Sequence, residues 1–94
     1  MVVLILERVP PSLRGDLSRW MIEPKAGIFL GRMTARLRDK LWTKAVGGSQ
    51  GGACLQVWTA PGDQGFTVRT SGEASRRIVD LEGLHLVAIP RDRQ

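Results

Sequence analysis

The stretch Val2-Val3-Leu4-Ile5-Leu6 is an unbroken run of five apolar residues, three of them β-branched. It is followed by the charged residues Glu7 and Arg8 and then by two prolines. A continuous run bounded in this way is typical of a strand buried on both faces. We therefore predict that residues 2–6 form the central strand of a sheet, with the later elements packed around it.

Two amphipathic helices are predicted after this strand. The first begins at Pro10-Pro11-Ser12 and is stopped by Pro24. The second is capped by Thr34 and ends at Gly47-Gly48. Their apolar faces consist of Leu13, Leu17, Trp20 and Met21 in the first helix, and of Leu37, Leu41, Trp42 and Ala45 in the second. Both tryptophans are therefore expected in the core rather than stacked on bases.

Four further strands complete the prediction. Residues 26–31 form a short apolar strand between the helices, and residues 53–60 and 66–70 flank a loop as a β-hairpin. One face of this hairpin is expected to be solvent-exposed, because it carries the polar residues Gln56, Thr67 and Arg69. A last strand, residues 84–89, is stopped by Pro90. The order β-α-β-α-β-β-β predicts an α+β fold with two helices on one face of a mixed sheet, whose other face needs a partner.

The length of 94 residues predicts a single domain over residues 1–94 with a thin core. With 43% hydrophobic residues, a homodimer is favoured. The single cysteine, Cys54, excludes an internal disulfide and lies where a buried thiol is expected. The apolar run 2–6 is too short for a signal-peptide core or a membrane span. We therefore expect a cytoplasmic protein with no membrane partner.

Positive charge is concentrated in one part of the chain. Fourteen Lys and Arg against nine Asp and Glu give a net charge of +5. Between Arg8 and Lys44, nine basic residues outnumber three acidic ones, so this stretch carries +6 and the remainder is close to neutral. Eleven of the fourteen are arginine, which can bind phosphate through two parallel hydrogen bonds. This favours a polyanionic partner; the alternative is a basic surface that is merely solvated.

Few residues of the sequence suit catalysis. The single His85 and Cys54 supply neither a zinc-ligand cluster nor an acid–base pair. Glu7, at the end of the first strand, is the carboxylate best placed for catalysis and metal binding, because two copies in a dimer could hold one Mg²⁺. The alternative is that Glu7 pairs with a neighbouring arginine or faces water. Weaker candidates are Asp63 and Asp80.

The candidate nucleic-acid contacts are basic residues on the helix surfaces and in a polar segment near residue 76. The chain has no tyrosine and only two phenylalanines, so it lacks the aromatic platform on which single strands stack. We therefore expect contact with duplex phosphates, without base readout. The candidates are Arg14, Lys25, Arg36, Lys40, Lys44, Arg76 and Arg77.

An ordered series of short motifs resembles a known family. It comprises Val9-Pro10-Pro11-x-Leu13-Arg14-Gly15-x-Leu17 with Trp20, then residues 26–31, Arg36-Leu37-Arg38, Leu41-Trp42, Gly65-Phe66, Arg76-Arg77 and Asp80-Leu81-x-Gly83-Leu84. In this order, over nearly the whole chain, it is similar to the type I-E branch of the CRISPR-associated adaptation proteins. That family has long been described as small endoribonucleases, and it serves antiviral defence.

The resemblance implies a ferredoxin-like fold and a homodimer packed sheet to sheet. It implies a subunit that bridges two dimers of the CRISPR integrase with spacer DNA across it, and it adds Arg38 to the DNA contacts. Residues 78–94 would then be a C-terminal strand and tail at the dimer or partner interface. Some relatives outside this branch hold one Mg²⁺ between two aspartates at the position of Glu7. A ferredoxin-like order has two strands between the helices, where the sequence shows one.

Three functions are weighed on these grounds. The favoured function is a DNA-binding scaffold subunit of the spacer-acquisition complex. The second is a weak magnesium-dependent endonuclease or endoribonuclease, with Glu7 as its catalytic and metal-binding residue. The third, a stand-alone RNA-binding module, is disfavoured by the missing aromatic residues.

Overall fold

The computed structural model describes residues 1–61 and 65–72, which form five strands and two helices. The strands are β1 (Val2–Leu6), β2 (Ile22–Lys25), β3 (Ile28–Gly31), β4 (Cys54–Thr59) and β5 (Phe66–Ser71). The helices are α1 (Pro11–Ser18) and α2 (Ala35–Gly48). The strands form one sheet in the order β2-β3-β1-β4-β5. This α+β, ferredoxin-like arrangement confirms the predicted fold class and the central position of residues 2–6.

All pairings between the described strands are antiparallel, where the sequence predicted a mixed sheet. The difference follows from the connections. The pairs β2–β3 and β4–β5 are hairpins, and hairpins join antiparallel strands. The central strand β1 is antiparallel to both of its neighbours, with Leu4 opposite Phe29 on one side and Gln56 on the other.

The two faces of the sheet carry different apolar clusters. Alternate side chains of β1 point to opposite faces. Val2, Leu4 and Leu6 join the apolar residues of both helices in the main core, together with Phe29 and Cys54. Ile5 belongs to a second cluster on the face opposite the helices, which contains Ala53 and Leu55, with Val3, Ile28, Val57 and Val68 packed against it. Both described helices therefore cover the same face.

The helix boundaries are set by local chemistry. In α1, Pro11 occupies the first turn, where a missing N–H costs nothing, and Arg14 N donates to Pro10 O at 3.0 Å. In α2, Thr34 is the N-cap, and its hydroxyl accepts from Leu37 N at 3.2 Å. The predicted cap and the predicted glycine end of α2 are both confirmed.

The segment between the helices contains the strand that the sequence did not show. The predicted first helix was too long, since α1 ends at Ser18 and Trp20 N donates to Leu17 O in a closing turn. Strand β2 follows, and it includes Pro24. Proline cannot donate to a ladder and is tolerated on edge strands, and β2 is an edge strand of the sheet that the described residues form. In the sequence, Pro24 indicated only the end of a helix. The sequence prediction therefore missed β2, in which Pro24 lies.

Two side-chain predictions were wrong and one is confirmed. Trp20 is 52% exposed, because the helix ends before it and it does not join the apolar face of α1. Gln56 is completely buried, although it was expected on a wet face of the hairpin. Cys54 is buried, as expected.

Some predictions concern residues outside the described part of the chain. These are the strand at residues 84–89, the segment 78–94, and the candidate residues Asp63, Arg76, Arg77, Asp80 and His85. Neither described helix is long and apolar enough to cross a bilayer.

Candidate nucleic-acid interface

Arg14 projects from α1 towards β2, where it meets Glu23. Its Nε lies 2.9 Å from Glu23 Oε1, and its Nη2 lies 3.0 Å from Oε2. Its third donor, Nη1, reaches Val9 O at 3.4 Å. Two parallel hydrogen bonds between guanidinium and carboxylate are a strong, directional form of ion pair. Arg14 is therefore tied to the protein as well as facing solvent.

Glu23 has a second partner, since its Oε2 also accepts from Gly27 N at 2.9 Å. The hydrogen bonds from Arg14 and Gly27, with the nearby guanidinium charge, hold the pKa of the Glu23 carboxyl below its ordinary value. The same pairing raises the pKa of Arg14. Glu23 therefore stays ionised and joins α1 to the β2–β3 turn, so much of the Arg14 charge is balanced within the chain.

A second cluster of charges lies where α2 crosses β4 and β5. Asp39 Oδ1 accepts from Arg38 Nε at 3.0 Å and from Arg69 Nη2 at 2.9 Å. These two hydrogen bonds hold the pKa of the Asp39 carboxyl below its ordinary value. Beneath them, the buried Gln56 accepts from Arg69 Nε at 2.7 Å and donates to Arg38 O at 3.2 Å. This network fastens α2 to the hairpin.

The same two arginines stack on tryptophan rings. Arg38 lies 4.0 Å from the centre of the Trp58 ring, and Arg69 lies 5.0 Å from the centres of both Trp42 and Trp58. Such contacts are favourable cation–π geometries. The Arg38 side chain is only 18% exposed. Trp42 and Trp58 therefore already have cationic partners, and Arg38 is largely committed to packing.

Two cations of α2 differ from these arginines. Arg36 and Lys40 are both exposed and four residues apart, so they share one face of the helix. Neither is paired with a carboxylate among the described residues, although Lys44, one turn further on, lies 3.4 Å from Asp16 Oδ2. We call Arg36 and Lys40 the α2 cation row. Lys25, another predicted contact, is exposed at the end of β2.

Glu7 is exposed directly after β1, as the sequence indicated. Its Oε1 accepts from Ala53 N at 3.0 Å, while its own N donates to Ala53 O at 2.9 Å. These two bonds join Glu7 to Ala53, which are the residues next to the last β1–β4 pair, Leu6 and Cys54. One carboxylate oxygen of Glu7 therefore has a structural role at the start of β4.

Two further observations on residues 1–61 and 65–72 concern metal binding and the single cysteine. No group of three or more His, Cys, Asp and Glu side chains gathers there to hold a metal ion. Burial raises the pKa of the Cys54 thiol, which disfavours the nucleophilic thiolate.

The family of the chain follows from a comparison with family models. The model described as CRISPR-associated protein (Cas_Cas2CT1978) matches residues 1–86. The chain belongs to this family. It is a CRISPR-associated, Cas2-like protein, and the family supports a role in CRISPR adaptation. The matched region includes every described residue of the interface.

Sequence reasoning did not find the Arg69 network of this Cas2-like protein. Arg69 and Asp39 are 30 residues apart, and Gln56 comes from a third element. The one available signal was the polar Gln56 between the apolar residues Leu55 and Val57, which suggested a solvent-exposed face rather than a buried polar partner.

Proposed function

We propose that this Cas2-like protein is the non-catalytic, DNA-binding scaffold of the spacer-acquisition complex, in the type I-E manner that its motifs resemble. It acts as a homodimer that bridges integrase dimers and contacts duplex phosphates without sequence preference. The observation that carries the DNA-binding part of this proposal is the α2 cation row. Arg36 and Lys40 are exposed and lack a carboxylate partner among the described residues, so they can neutralise phosphate without losing a bond inside the protein.

The other predicted contacts have graded roles in this proposal. Arg14 contributes a guanidinium whose charge is shared with Glu23, so it positions the duplex more than it adds affinity. Arg38 acts indirectly, because its packing on Trp58 holds α2 against the sheet. Lys25, Arg76 and Arg77 are further contacts in the proposal, the two arginines through the resemblance.

The apolar cluster on the sheet face opposite the helices supports the proposed homodimer. The cluster opposite the helices contains Ile5, Ala53 and Leu55, with Val57 and Val68 among the partly buried residues beside it. Both described helices pack on the other face, and in the proposal this apolar face takes part in sheet-to-sheet packing with a second copy.

The bond from Ala53 N to Glu7 Oε1 favours the scaffold function over the nuclease. It gives the side chain at this position a structural role at the start of β4 that does not depend on a metal ion. In the proposal, Mg²⁺ is therefore not required for spacer acquisition.

DNA affinity measured by fluorescence anisotropy at several salt concentrations tests the proposal. The α2 cation row is neutralised by Arg36→Gln and Lys40→Gln, singly and together. Each variant should weaken duplex binding, and the plot of log affinity against log salt should become less steep by about 0.9 for each lost phosphate contact. Lys44→Gln is the matched control for Lys40→Gln, because it removes the same charge from the same helix but from a lysine already paired with Asp16. It should change binding much less. Equal losses for the two lysines would show a general charge effect and refute the row as a binding site.

A further inference from the structure

Trp20 forms an exposed ridge between α1 and β2. Its side chain is 52% exposed, and that of Ile22, two residues later, is 67% exposed. The backbone beneath the ridge is closely packed, since a Cβ atom at Gly31 would lie 2.9 Å from Trp20 O. Trp20 therefore exposes a large aromatic side chain while its backbone is closely packed. Tryptophan is among the residues that most often dominate the affinity of binding interfaces.

A groove lies on each side of the ridge. The first, of about 400 Å³, has an apolar floor that includes Met21 and Leu30 and an apolar border formed by Met1 and Ile22. The second, of about 590 Å³, lies between Trp20 and α2 and has Leu37 and Leu41 on its floor. Together they offer Trp20 and two apolar depressions to one ligand.

The rims of both grooves are basic. Arg19 and Arg32 line the first groove, and Lys40 and Lys44 line the second. No Asp or Glu is among the described residues that line either one. We propose that this surface binds a segment of another protein that is apolar along one side and rich in Asp and Glu along its edges. Its apolar side chains enter the two grooves around Trp20, and its carboxylates meet chiefly Arg19 and Arg32, since Lys44 is paired with Asp16 and Lys40 belongs to the α2 cation row.

The segment binds through its side chains rather than by adding a strand to the sheet. Among the described strands, β2 lies at the edge of the sheet, but it contains Pro24, which has no N–H, and its pairing with β3 shifts register between Ile22 and Lys25. Both features obstruct a regular ladder with an incoming strand. An amphipathic helix fits better, because its apolar stripe can straddle a ridge while its flanks carry the acidic residues.

Three other occupants suit this surface less well. Duplex DNA would satisfy the cations, but it offers few apolar groups to cover Ile22 and Trp20. A second copy of this chain would bring a rim of the same positive sign against the first. Residues 73–94 of the chain itself contain four arginines and four carboxylates, so they supply no acidic excess.

A peptide selection tests the proposal. The full chain is presented with a display library of helix-forming peptides of random sequence, and binders that also recognise Ile22→Asn are removed. The retained peptides should carry an excess of Asp and Glu and an apolar stripe. Trp20→Ala should weaken their affinity on the order of 30-fold, the size expected for a central tryptophan.

Two variants make the result interpretable. Ile22→Asn, the variant used to remove binders, changes a highly exposed side chain, so the selection itself establishes dependence on this surface even if Trp20→Ala proves unstable. Val46→Asn is the matched control, since Val46 is also apolar and 38% exposed but lines neither groove, and it should leave affinity unchanged.

Several results would overturn the proposal. These are selected peptides without an acidic excess, no binders that depend on Trp20 or Ile22, or equal losses for Val46→Asn. Displacement of the indole N–H resonance of Trp20 by duplex DNA, or by raising the concentration of the chain alone, would assign the surface to nucleic acid or to a second copy. Arg36 lines neither groove, so the single variant Arg36→Gln tests the DNA-binding proposal without changing this surface. Either proposal can therefore fail alone.

Discussion

Arg14 and Glu23 face each other through two parallel hydrogen bonds, with Nε to Oε1 at 2.9 Å and Nη2 to Oε2 at 3.0 Å. The pair joins the helix α1 to the edge strand β2, and the same carboxylate also holds the β2–β3 turn at Gly27 N. Arg14, which the sequence predicted as a DNA contact, thus also helps to hold β2 against α1.

Glu23→Gln should lower the free energy of unfolding by about 1 kcal/mol, since it removes the charged partner of Arg14 but keeps an acceptor for Gly27 N. The pKa of Glu23 is lowered in the folded state. Its stabilising contribution is therefore fully present above the unfolded-state pKa of glutamate, about 4.3. It is lost as the pH falls through the lower folded-state pKa. Urea unfolding from neutral to acidic pH should show the loss in the parent and a flatter profile in the variant. Profiles of equal steepness would contradict this role for Glu23.

Arg69→Ala should destabilise the fold by about 1–3 kcal/mol, because the buried Gln56 Oε1 loses its donor. Replacing both partners, as Arg69→Ala with Gln56→Leu, should recover part of the loss, since no unsatisfied polar atom is then left on this side. Arg19→Ala, which changes an exposed arginine outside the network, is the control and should have little effect. The prediction fails if the double variant is as unstable as the sum of the two single variants, measured by thermal unfolding.

Gly27→Ala should lower stability by about 1–3 kcal/mol, owing to strained backbone and a close contact. Gly27 has a φ of +85°, and a Cβ atom there would lie 2.7 Å from Leu6 O. Gly15→Ala is a matched control within α1, where nothing lies within 4 Å of the added Cβ, and it should raise stability by about 0.5–1 kcal/mol. Chemical unfolding of both variants measures the difference, and similar values would contradict the prediction.

Glu7→Gln should leave spacer integration intact, because its amide oxygen can still accept from Ala53 N. Glu7→Ala should instead lower the melting temperature, since that acceptor is lost. Spacer integration is measured with the integrase present, and metal-dependent cleavage with it absent. Loss of integration by a Glu7→Gln protein that still folds, dimerises and binds DNA would refute the scaffold function and favour the magnesium-dependent nuclease.

The chain should form a homodimer, so light scattering at micromolar concentration should give twice the chain mass of 10.4 kDa. Val57→Asp places a charge on the sheet face opposite the helices and should convert the dimer to a monomer. Val46→Asp, on the surface of α2, should leave the dimer intact. A parent protein that is strictly monomeric would overturn the proposed dimer and the scaffold function with it.

Local sequence patterns were sufficient for much of the fold. The apolar run of β1, the Thr34 cap of α2 and the β4–β5 hairpin each depend on neighbouring residues, so their positions followed from the sequence. The strand β2 did not, because Pro24 opposes strand formation except at an edge, and which strand lies at an edge is decided by the whole sheet.

The sequence by itself determined where positive charge is concentrated, the order of the family motifs and the position of Glu7 after the central strand. Only the tertiary structure decided which cations are free to bind a ligand. Arg14 meets a carboxylate 9 residues away, and Arg69 meets one 30 residues away, while Arg36 and Lys40 meet none among the described residues. The physical reason is that ion pairs and cation–π contacts act over a few ångströms of space, and the distance between two side chains on different elements is set by how those elements pack.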